Sequence, residues 1–458
     1  MNTNLPVFPV SLSEAWPAEL PRYPSIILAS SGGADSLGAL VWLHSLHTQG
    51  LICALRVVSI DHQIHPEAAT WSALAVQQAD YLNIDAEIIR ITLPERCAQG
   101  HRSLEARART ARYAALRDWL EQYAAGSVLV TAHHLDDQVE TFLLAALRGS
   151  GAAGLAAMPT MARFGSGWHW RPFINTHRQA LHDLAQRVPL PCVIDPSNQD
   201  THFDRNFLRQ EILPLLRSRF PNAIEGIGKT AQHAAADLAL LTELAKQDNG
   251  VEWGDKIALS QIHALTPSRQ ANLIRIWAKE HGALMPPKAK LHEFIRQIQT
   301  ANPAQRPTLC WGRWGITRYR QHIYWRRLAS EATFKSVIWG DKSQSLVLDS
   351  NTRLHLIPAI ANDPLAMAHH WLTLPWLVRP RLPQDTIKSD QHQSSRPLKQ
   401  WFQENNVPPW ARASVMMIEI EQQLAGIVGI LTHHPFRPRG DELGWRVEIE
   451  TISINLDE

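Results

Sequence analysis

The chain has 458 residues, of which 45% are hydrophobic and 19% are charged. This composition excludes a disordered or fibrous protein, and the length predicts two or three domains of about 150 residues each. The formal net charge is only +2, so the overall charge does not indicate nucleic-acid binding, and any basic surface must be local.

Residues 23–172 predict an α/β fold with a Rossmann-like parallel sheet. Short β-branched segments alternate there with longer segments of helical periodicity, which is typical of βαβ units. Helices are expected to begin near Asp35, Glu67, Ser103 and Asp136. The predicted strands are SIILAS, ICALRVVSI, AEIIRITL, SVLVTAH and WHWRPF. Ligands of such sheets bind beyond the carboxyl ends of the strands.

The remainder of the chain predicts two further regions. Residues 217–300 are rich in Ala and Leu and predict a mostly helical middle region. After Pro303, the segment TLCWGRWGITRYRQHIYWRR predicts a hairpin or meander, and the C-terminal segment predicts a small α+β domain. We therefore expect domains at residues 1–216, 217–330 and 345–458.

The cysteines and the N-terminus indicate a protein of the reducing cytoplasm. Cys53, Cys97, Cys192 and Cys310 lie far apart without a C-x-x-C pair, which favours buried, reduced thiols over a zinc site or a redox pair. The N-terminus lacks a basic start followed by an apolar core, and no stretch approaches the roughly 18 apolar residues that span a bilayer. We expect a cytoplasmic enzyme or binding protein with no membrane partner.

The first strand is followed by SSGGADS, residues 30–36. Backbone N–H groups of a glycine-rich turn before a helix form an anion site, and Asp35 could hold Mg²⁺ against a bound phosphate. The loop lacks the lysine of a Walker motif and the G-x-G-x-x-G of a dinucleotide site. The alternative is an ordinary turn in which Asp35 caps the helix.

A second polar motif, AHHLDDQVETFLLAALRGSG, follows the strand SVLVTAH on the same rim. On a helix starting near Leu135, Asp136, Asp137 and Glu140 lie on one face, opposite Val139 and Phe142. We expect this acidic face to be free of the core. Three carboxylates beside His133 and His134 could bind a cation, hold a metal or move a proton, or they could simply stabilise the helix dipole.

These motifs carry a resemblance to a known family. SSGGADS resembles the PP-loop of the ATP pyrophosphatases, and the AHHLDDQVET segment resembles the H-H-x-x-D-D-x-x-E-T region of the tRNA(Ile)-lysidine synthetases within that superfamily. SLEARARTARYAAL, the DPSN and RNFLR elements of residues 171–216, and PLKQWFQENNVPPWAR resemble the same family. Two elements depart from it: Gln384-Asp385-Thr386 replaces Gly-Asp-Arg, and SIDHQIHPE replaces an Asn-His-Gly-like string.

The resemblance implies a ligase that uses ATP and Mg²⁺ to adenylylate the wobble cytidine of the CAU-anticodon isoleucine tRNA. L-lysine then displaces AMP, which forms lysidine and changes codon recognition from AUG to AUA. Asp137 and Glu140 are expected to bind lysine, and Asp35 is expected to bind the metal. The residues expected to bind ATP are Ser31, Gly32, Gly33, Ala34, Asp35 and Ser36. Those expected to be catalytic are Asp35, Arg109, Arg112, His133 and Asp136.

For the tRNA, the resemblance implies contacts from Arg205, Arg209 and Arg412. Residues 301–327 add six arginines among tryptophans and tyrosines with no acidic residue, a mixture that suits phosphate contact and base stacking. The alternative is a β-meander with the aromatic side chains inside and the arginines in water. A homodimer is an additional expected assembly.

Two other functions are compatible with the sequence. A tRNA thiolase of the same superfamily is disfavoured because that class commonly carries sulfur on paired cysteines, whereas these four are scattered. A nucleotide-dependent RNA-binding protein without catalytic activity is disfavoured by the intact acidic helix.

Overall fold

The computed structural model describes residues 24–92, 104–250, 253–302, 305–328, 335–349, 352–359, 363–388, 395–405, 407–413, 415–439 and 442–451. The N-terminal stretch, Cys97 and Ser103 lie outside these ranges. The chain forms two compact units that divide between Gln247 and Asp248. In the described part of the chain, no helix is long and apolar enough to cross a membrane.

The first unit contains a six-stranded sheet in the order β3-β2-β1-β4-β6-β5. Five strands are parallel, and β5 is antiparallel to β6 at the edge. This confirms the predicted Rossmann-like sheet, whereas the edge strand β5 was not predicted. The strands are β1 (Ser25–Ala29), β2 (Ala54–Asp61), β3 (Ala86–Arg90), β4 (Val128–Val130), β5 (Met161–Phe164) and β6 (Gly167–Trp170).

Helices cover both faces of this sheet, as expected for strands that are apolar on both sides. Ile26, Leu28 and Val130 pack against one layer of helices, which includes α1 and α6, and Ile27 and Leu129 pack against α3 on the other face. The helices up to this point are α1 (Ala34–Thr48), α2 (Ala68–Tyr81), α3 (Leu104–Tyr123), α4 (Leu135–Leu147), α5 (Ala152–Leu155) and α6 (Arg178–Ala185).

A helical segment follows the sheet and lies beside α4. Leu213 and Ile224 from this segment pack on Leu135 and Val139 of α4. It comprises a 3-10 helix (Pro196–Gln199), α7 (Asp204–Phe207), a π-helix (Leu208–Ile212), α8 (Leu213–Arg219) and α9 (Ala223–Asn249). The face of α4 is therefore covered by residues that come roughly 80 positions later in the chain.

The second unit begins with helices and ends with sheets. The predicted hairpin or meander is the three-stranded meander β8-β9-β10, which β7 extends. The elements here are β7 (Lys256–Ala258), α10 (Leu259–His263), α11 (Pro267–Glu280), α12 (Lys288–Thr300), β8 (Thr308–Trp311), β9 (Trp314–Tyr319) and β10 (His322–Arg327).

The C-terminal part of this unit is rich in β-strands with short helices, in agreement with the predicted small α+β region. Two sheets, β11-β15-β18-β19-β20 and β12-β13-β21-β14, share a core that includes Trp376 and Leu354. The elements are β11 (Val337–Trp339), β12 (Leu346–Asp349), β13 (Thr352–Ala359), β14 (Met367–Ala368), a 3-10 helix (His369–Thr373), β15 (Trp376–Pro380), β16 (Thr386–Ile387), β17 (Arg396–Pro397), α13 (Leu398–Glu404), α14 (Pro409–Ala413), β18 (Met416–Ile420), β19 (Gln423–Ile427), β20 (Leu431–Thr432), a 3-10 helix (His434–Phe436) and β21 (Gly444–Thr451). The division into domains at 1–216, 217–330 and 345–458 stays a prediction.

The cysteine prediction was partly wrong. Cys53, Cys192 and Cys310 are free thiols, as expected, but Cys53 and Cys310 are exposed rather than buried. Cys53 directly precedes β2, and Cys310 lies on the outer face of β8, where alternate side chains point to solvent.

Close packing of α1 on α6 predicts that Gly38 cannot be replaced. A Cβ atom at Gly38 would lie 2.1 Å from the backbone oxygen of Leu181, so the two helices would have to separate. We expect Gly38→Ala to lower the free energy of unfolding by at least about 2 kcal/mol. Gly226→Ala on α9 is the matched control, because nothing lies within 4 Å of its added Cβ, and it should stabilise by up to about 1 kcal/mol. Urea denaturation measures both, and an unchanged midpoint for Gly38→Ala would contradict the packing.

Candidate active site

The loop after β1 is shaped for close backbone approach. Gly32 has φ +73°, and a Cβ atom there would lie 2.8 Å from Cγ2 of Val193, so only glycine fits without strain. The N–H of Val193 and Nε2 of Gln78 donate to the Gly32 carbonyl oxygen at 2.9 and 3.0 Å. Two packed elements therefore hold the loop in place at the N-terminus of α1.

The serine hydroxyls of the loop close on one another. The hydroxyls of Ser31 and Ser36 are 3.1 Å apart, and the N–H of Ser31 donates to the Ser36 hydroxyl at 3.3 Å. The N–H of Gly32 donates to the Ser30 hydroxyl at 3.2 Å. The serine hydroxyls can rotate towards an anion at the helix N-terminus, so the geometry suits the phosphate-binding loop that the sequence predicts.

Asp35 lies in the first turn of α1, where its carboxylate faces several cationic or polar side chains. Arg178 donates to Asp35 through Nε at 3.2 Å, and Nε2 of His182 is 3.1 Å from the same carboxylate oxygen. Arg178 and His182 were missed by the sequence analysis, although their spacing of four residues places them on one face of a helix. Asp35 is therefore not the helix cap, since Gly33 is the N-cap residue and has no side-chain cap hydrogen bond.

The two adjacent histidines point in different directions. Nε2 of His134 is 3.8 Å from Asp35 and 3.4 Å from Asp137, so this buried imidazole links the loop to the acidic helix. His133 instead contacts the hydroxyl of Thr131 at 2.7 Å through Nδ1. The structure thus brings together the two polar motifs that the sequence placed on one rim.

The acidic face of α4 is buried, which corrects the expectation that it would be free of the core. Glu140 is fully buried and Asp136 is 9% exposed. Arg209 donates to Glu140 at 2.7 Å and to Asp137 at 2.8 Å, and Arg217 donates to both carboxylate oxygens of Asp136 at 2.8 Å. Periodicity identified the acidic arc correctly, but it could not identify the arginines that cover this arc from residues 204–219.

The buried carboxylate of Glu140 has a perturbed affinity for protons. Burial raises the pKa of Glu140 to about 7, and the Arg209 guanidinium opposes this shift. Glu140 in turn contributes to raising the pKa of Arg209. The pocket formed by Asp137 and Glu140 accordingly holds a cationic side chain of the protein itself, the Arg209 guanidinium.

Arg109 and Arg112 lie on α3, which covers the opposite face of the sheet from α1. Their guanidinium groups lie 5.1 and 5.4 Å from the ring centroid of Tyr113 on α3. Both arginines contribute to lowering the pKa of His133, after burial and Arg171. Positive charge therefore collects beside His133 and negative charge beside His134.

The donor set fits Mg²⁺ only if the nucleotide contributes ligands. Among the described residues, no group of three or more His, Cys, Asp or Glu side chains is arranged to hold a metal ion. Mg²⁺ commonly takes one or two carboxylates together with substrate phosphates and water. Asp35, next to the phosphate loop, can supply such a carboxylate.

The predicted tRNA-binding arginines lie in different surroundings. Arg205 donates to the Thr141 hydroxyl at 3.2 Å, and Arg209 occupies the acidic pocket described above. In the second unit, Arg412 donates to the carbonyl oxygen of Val407 at 2.8 Å and lies 3.4 Å from the Tyr319 hydroxyl. Their contacts with tRNA stay a prediction.

The meander of the second unit has buried aromatic side chains and, next to them, arginines near the surface. Trp311, Trp314 and Tyr319 are buried, as expected for a packed meander. Trp410 nevertheless packs on Tyr319 with ring centroids 5.8 Å apart, and the Arg326 guanidinium lies 4.6 Å from the Trp410 ring. Trp410 and Arg326 are partly exposed, and together with the neighbouring exposed Arg320 they form a basic aromatic surface over the buried Tyr319.

The Gly-Asp-Arg departure leaves the local structure intact. Asp385 is buried and accepts hydrogen bonds from Arg379 at 2.8 and 3.1 Å and from the N–H of Leu382 at 2.7 Å. Asp385, the one residue of the motif that this chain retains, thus orders the turn before β16. The other departure, at residues 61–63, has Gln63 at φ +54°, a conformation that favours glycine.

Comparisons with known proteins agree with this geometry. Residues 14–216 match the model of a PP-loop domain, residues 258–324 that of a TilS substrate binding domain, and residues 377–449 that of a TilS substrate C-terminal domain. The tRNA(Ile)-lysidine synthase of Methylococcus capsulatus is 34% identical over 88% of this chain and 90% of that protein. The tRNA(Ile)-lysidine synthase of Yersinia pseudotuberculosis is 32% identical over 94% of this chain and 97% of that protein.

One solved structure is also similar. The U34-tRNA thiolase NcsA from Methanococcus maripaludis, with its [4Fe-4S] cluster, covers 47% of this chain and 72% of its own, with a TM-score of 0.38 and 16% identity. A similarity of this size bears neither on substrate nor on chemistry.

Removing Arg209 should destabilise the protein in a pH-dependent manner. The pKa of the Glu140 carboxyl is raised in the folded state from its ordinary value of 4.5 to about 7. The free energy of unfolding of the protein therefore falls as the pH rises between these two values. Without Arg209 the folded-state pKa rises further, so the loss continues above pH 7. We expect Arg209→Met to lower the free energy of unfolding by about 2 kcal/mol at pH 8, less than for a fully buried pair because Arg209 is 31% exposed.

At pH 5.5 the same variant should differ from the wild type by much less, since Glu140 is protonated in both. Urea denaturation at the two pH values measures this difference. The double variant Arg209→Met, Glu140→Gln is the control and should recover most of the stability at pH 8. An equal loss at both pH values would contradict a role for the Glu140 charge.

Proposed function

The chain belongs to the tRNA(Ile)-lysidine synthase family, and we propose that it is an ATP-dependent ligase that converts the wobble cytidine of the CAU-anticodon isoleucine tRNA to lysidine. One observation carries the proposal at the level of the site. The imidazole of His134 lies between Asp35 at the phosphate loop and Asp137 at the cation pocket, at 3.8 and 3.4 Å. A nucleotide and an amine bound at these two places would meet at one reaction centre.

In the first step, the carbon-2 oxygen of cytosine attacks the α-phosphorus of ATP. The bond to the bridging oxygen breaks, and pyrophosphate leaves towards the loop of residues 31–36. Backbone N–H groups of this loop, with Arg109 and Arg112, would stabilise the negative charge that develops. Mg²⁺ held by Asp35 and the phosphates would supply further neutralisation of that charge.

In the second step, the ε-amine of lysine attacks carbon 2 of the cytosine, and the bond to the AMP oxygen breaks. The amine must be neutral to react, although its ordinary pKa is about 10.4. Asp137 and Glu140 would bind the α-ammonium of lysine in the pocket that now holds the Arg209 guanidinium. Asp136 is the carboxylate we propose to assist removal of the ε proton.

The two other functions receive less support. Each of the described cysteines, Cys53, Cys192 and Cys310, is a free thiol on a different element or loop, which does not suit sulfur transfer by a cysteine pair. A protein that merely binds nucleotide has no use for buried carboxylates that hold a cation beside the loop. Cytoplasmic location and a homodimer stay predictions.

The decisive assay measures pyrophosphate release from ATP with the isoleucine tRNA transcript, with and without L-lysine, and then follows labelled lysine into the tRNA. We expect release to depend on tRNA and incorporation to depend on lysine. Asp137→Asn should lower lysine incorporation by at least about 100-fold, because it removes one of the two charges that bind the ammonium. Asp118→Asn, an exposed carboxylate on α3, is the matched control and should be unchanged. No incorporation by the wild-type protein would refute the proposal.

Binding of tRNA should weaken steeply with salt. Each phosphate contacted contributes a slope of about 0.7–0.9 in log affinity against log salt. Arg320→Gln removes an exposed guanidinium that lies 5.7 Å from the Tyr319 ring, and it should reduce the slope by about one contact. Arg353→Gln on β13 is the control, because Arg353 is equally exposed but far along the chain from the basic aromatic surface. A slope near zero for the wild type would exclude phosphate contacts.

A further inference from the structure

Four buried or half-buried polar side chains form a continuous hydrogen-bonded chain that ends at the rim. Arg171 Nη2 is 3.0 Å from Nδ1 of His169, and Nε2 of His169 is 2.8 Å from the Thr131 hydroxyl. The same hydroxyl is 2.7 Å from Nδ1 of His133. Thr131, His169 and Arg171 were not among the residues that the sequence analysis selected. We call Arg171, His169, Thr131 and His133 the imidazole relay.

Arg171 fixes the direction of the first bonds in the imidazole relay, because a guanidinium has donors and no acceptor. Nδ1 of His169 must therefore accept, which leaves the hydrogen of that neutral ring on Nε2. Nε2 donates to the Thr131 oxygen, and with its hydroxyl hydrogen directed along the chain Thr131 donates to Nδ1 of His133. His133 consequently accepts at Nδ1 and carries its own hydrogen on Nε2.

The surroundings keep both imidazoles uncharged. Burial lowers the pKa of His133 well below its usual range, and Arg171, Arg109, His169 and Arg112 act in the same direction. Burial and the three arginines likewise lower the pKa of His169. The electrostatic environment therefore favours the neutral rings that the hydrogen-bond directions require.

The alternation of residues along β4 explains why these groups share one side of the sheet. Leu129 packs on the face covered by α3, and Thr131 and His133 continue the same alternation beyond the strand. Leu129 is paired with His169 in the register of β4 and β6. The ring of Tyr113, which the guanidinium groups of Arg109 and Arg112 both approach, has its centroid 5.8 Å from that of His169. The relay thus ends on the cationic side of the rim.

We propose that Thr131 and His169 are positioning residues that hold His133 as a neutral donor, whose Nε2–H hydrogen-bonds an anionic oxygen of the nucleotide in the adenylylation step. The proposal rests on the proposed function, since that function supplies the nucleotide. It assigns His133 the same task as Arg109 and Arg112, the stabilisation of charge on phosphate oxygens. It also removes His133 from the groups that could accept the proton of the lysine ε-amine.

The first test needs no substrate and no activity. The ¹⁵N chemical shifts of the histidine rings report tautomer and charge directly, and the His133→Gln variant assigns the His133 signals among the 22 histidines. We expect a neutral ring with hydrogen on Nε2 from pH 6 to pH 8. In Thr131→Val both tautomers should be populated, and Thr131→Ser should restore the single tautomer. An imidazolium or an Nδ1–H ring in the wild type would overturn the proposal.

The second test separates a donor from a base. The glutamine amide can donate a hydrogen bond from nearly the position of Nε2 but cannot accept a proton. We therefore expect His133→Gln to retain at least about tenfold more tRNA-dependent pyrophosphate release than His133→Ala. Equal loss in the two variants would contradict the donor role.

Steady-state kinetics of the Thr131 variants test how much the imidazole relay contributes to turnover. Thr131→Val should lower kcat for pyrophosphate release about tenfold or more with the KM for lysine unchanged, and Thr131→Ser should recover it. Thr230→Val, which removes a hydroxyl on α9 that donates to the carbonyl oxygen of Gly226, is the control and should be unchanged. A wild-type protein that shows the expected tautomer without lysine incorporation would refute the proposed function and leave the relay standing. Unchanged kcat in folded Thr131→Val would refute the relay's contribution.

Discussion

Two buried carboxylates and a half-buried one in the first two turns of α4 require cations to be brought to them, and the first unit is organised around this requirement. The helix N-terminus lessens the cost of the charges, but burial of Glu140 and Asp136 exceeds what a helix dipole can offset. Arg209 and Arg217 provide the compensation from residues 204–219. The packing of Leu213 and Ile224 on α4 is what delivers these arginines, so the apolar contact and the ion pairs depend on one another.

The rim separates charge into two parts. Arg109, Arg112 and Arg171 surround His133, whereas Asp35, Asp137 and Glu140 surround His134 and Arg209. The alternation of side chains beyond β4 sends two neighbouring histidines to opposite parts. A reaction that first gathers negative charge on phosphates and then receives a cationic amino acid needs both environments within a few ångströms. The end of β4 provides both of these environments.

Much of the first unit could be predicted because its signals are local. The apolar strand β1 followed by SSGGADS, and the acidic arc of α4, follow from periodicity and residue type alone. The burial of that arc could not be predicted, since Arg209 and Arg217 lie some 70–80 residues away in sequence and nothing local indicates the pairing. Arg178 and His182 had a signal in their helical spacing. Thr131 and His169 had none, because their roles depend on the register of β4 against β6.

The short hairpin of β5 and β6 limits which insertions and deletions this fold can accept. Side chains of a strand alternate between faces, so a register shift of one residue between β4 and β6 would turn His169 into the opposite layer of helices and bring Trp168 or Trp170 to Thr131. The antiparallel pairing of Met161 with Trp170 and of Phe164 with Gly167 ties β6 to the edge strand, so both strands of the hairpin would have to move together in such a slip. An insertion or deletion in this edge hairpin would therefore change the protonation pattern of a histidine on another strand without touching any residue of the site.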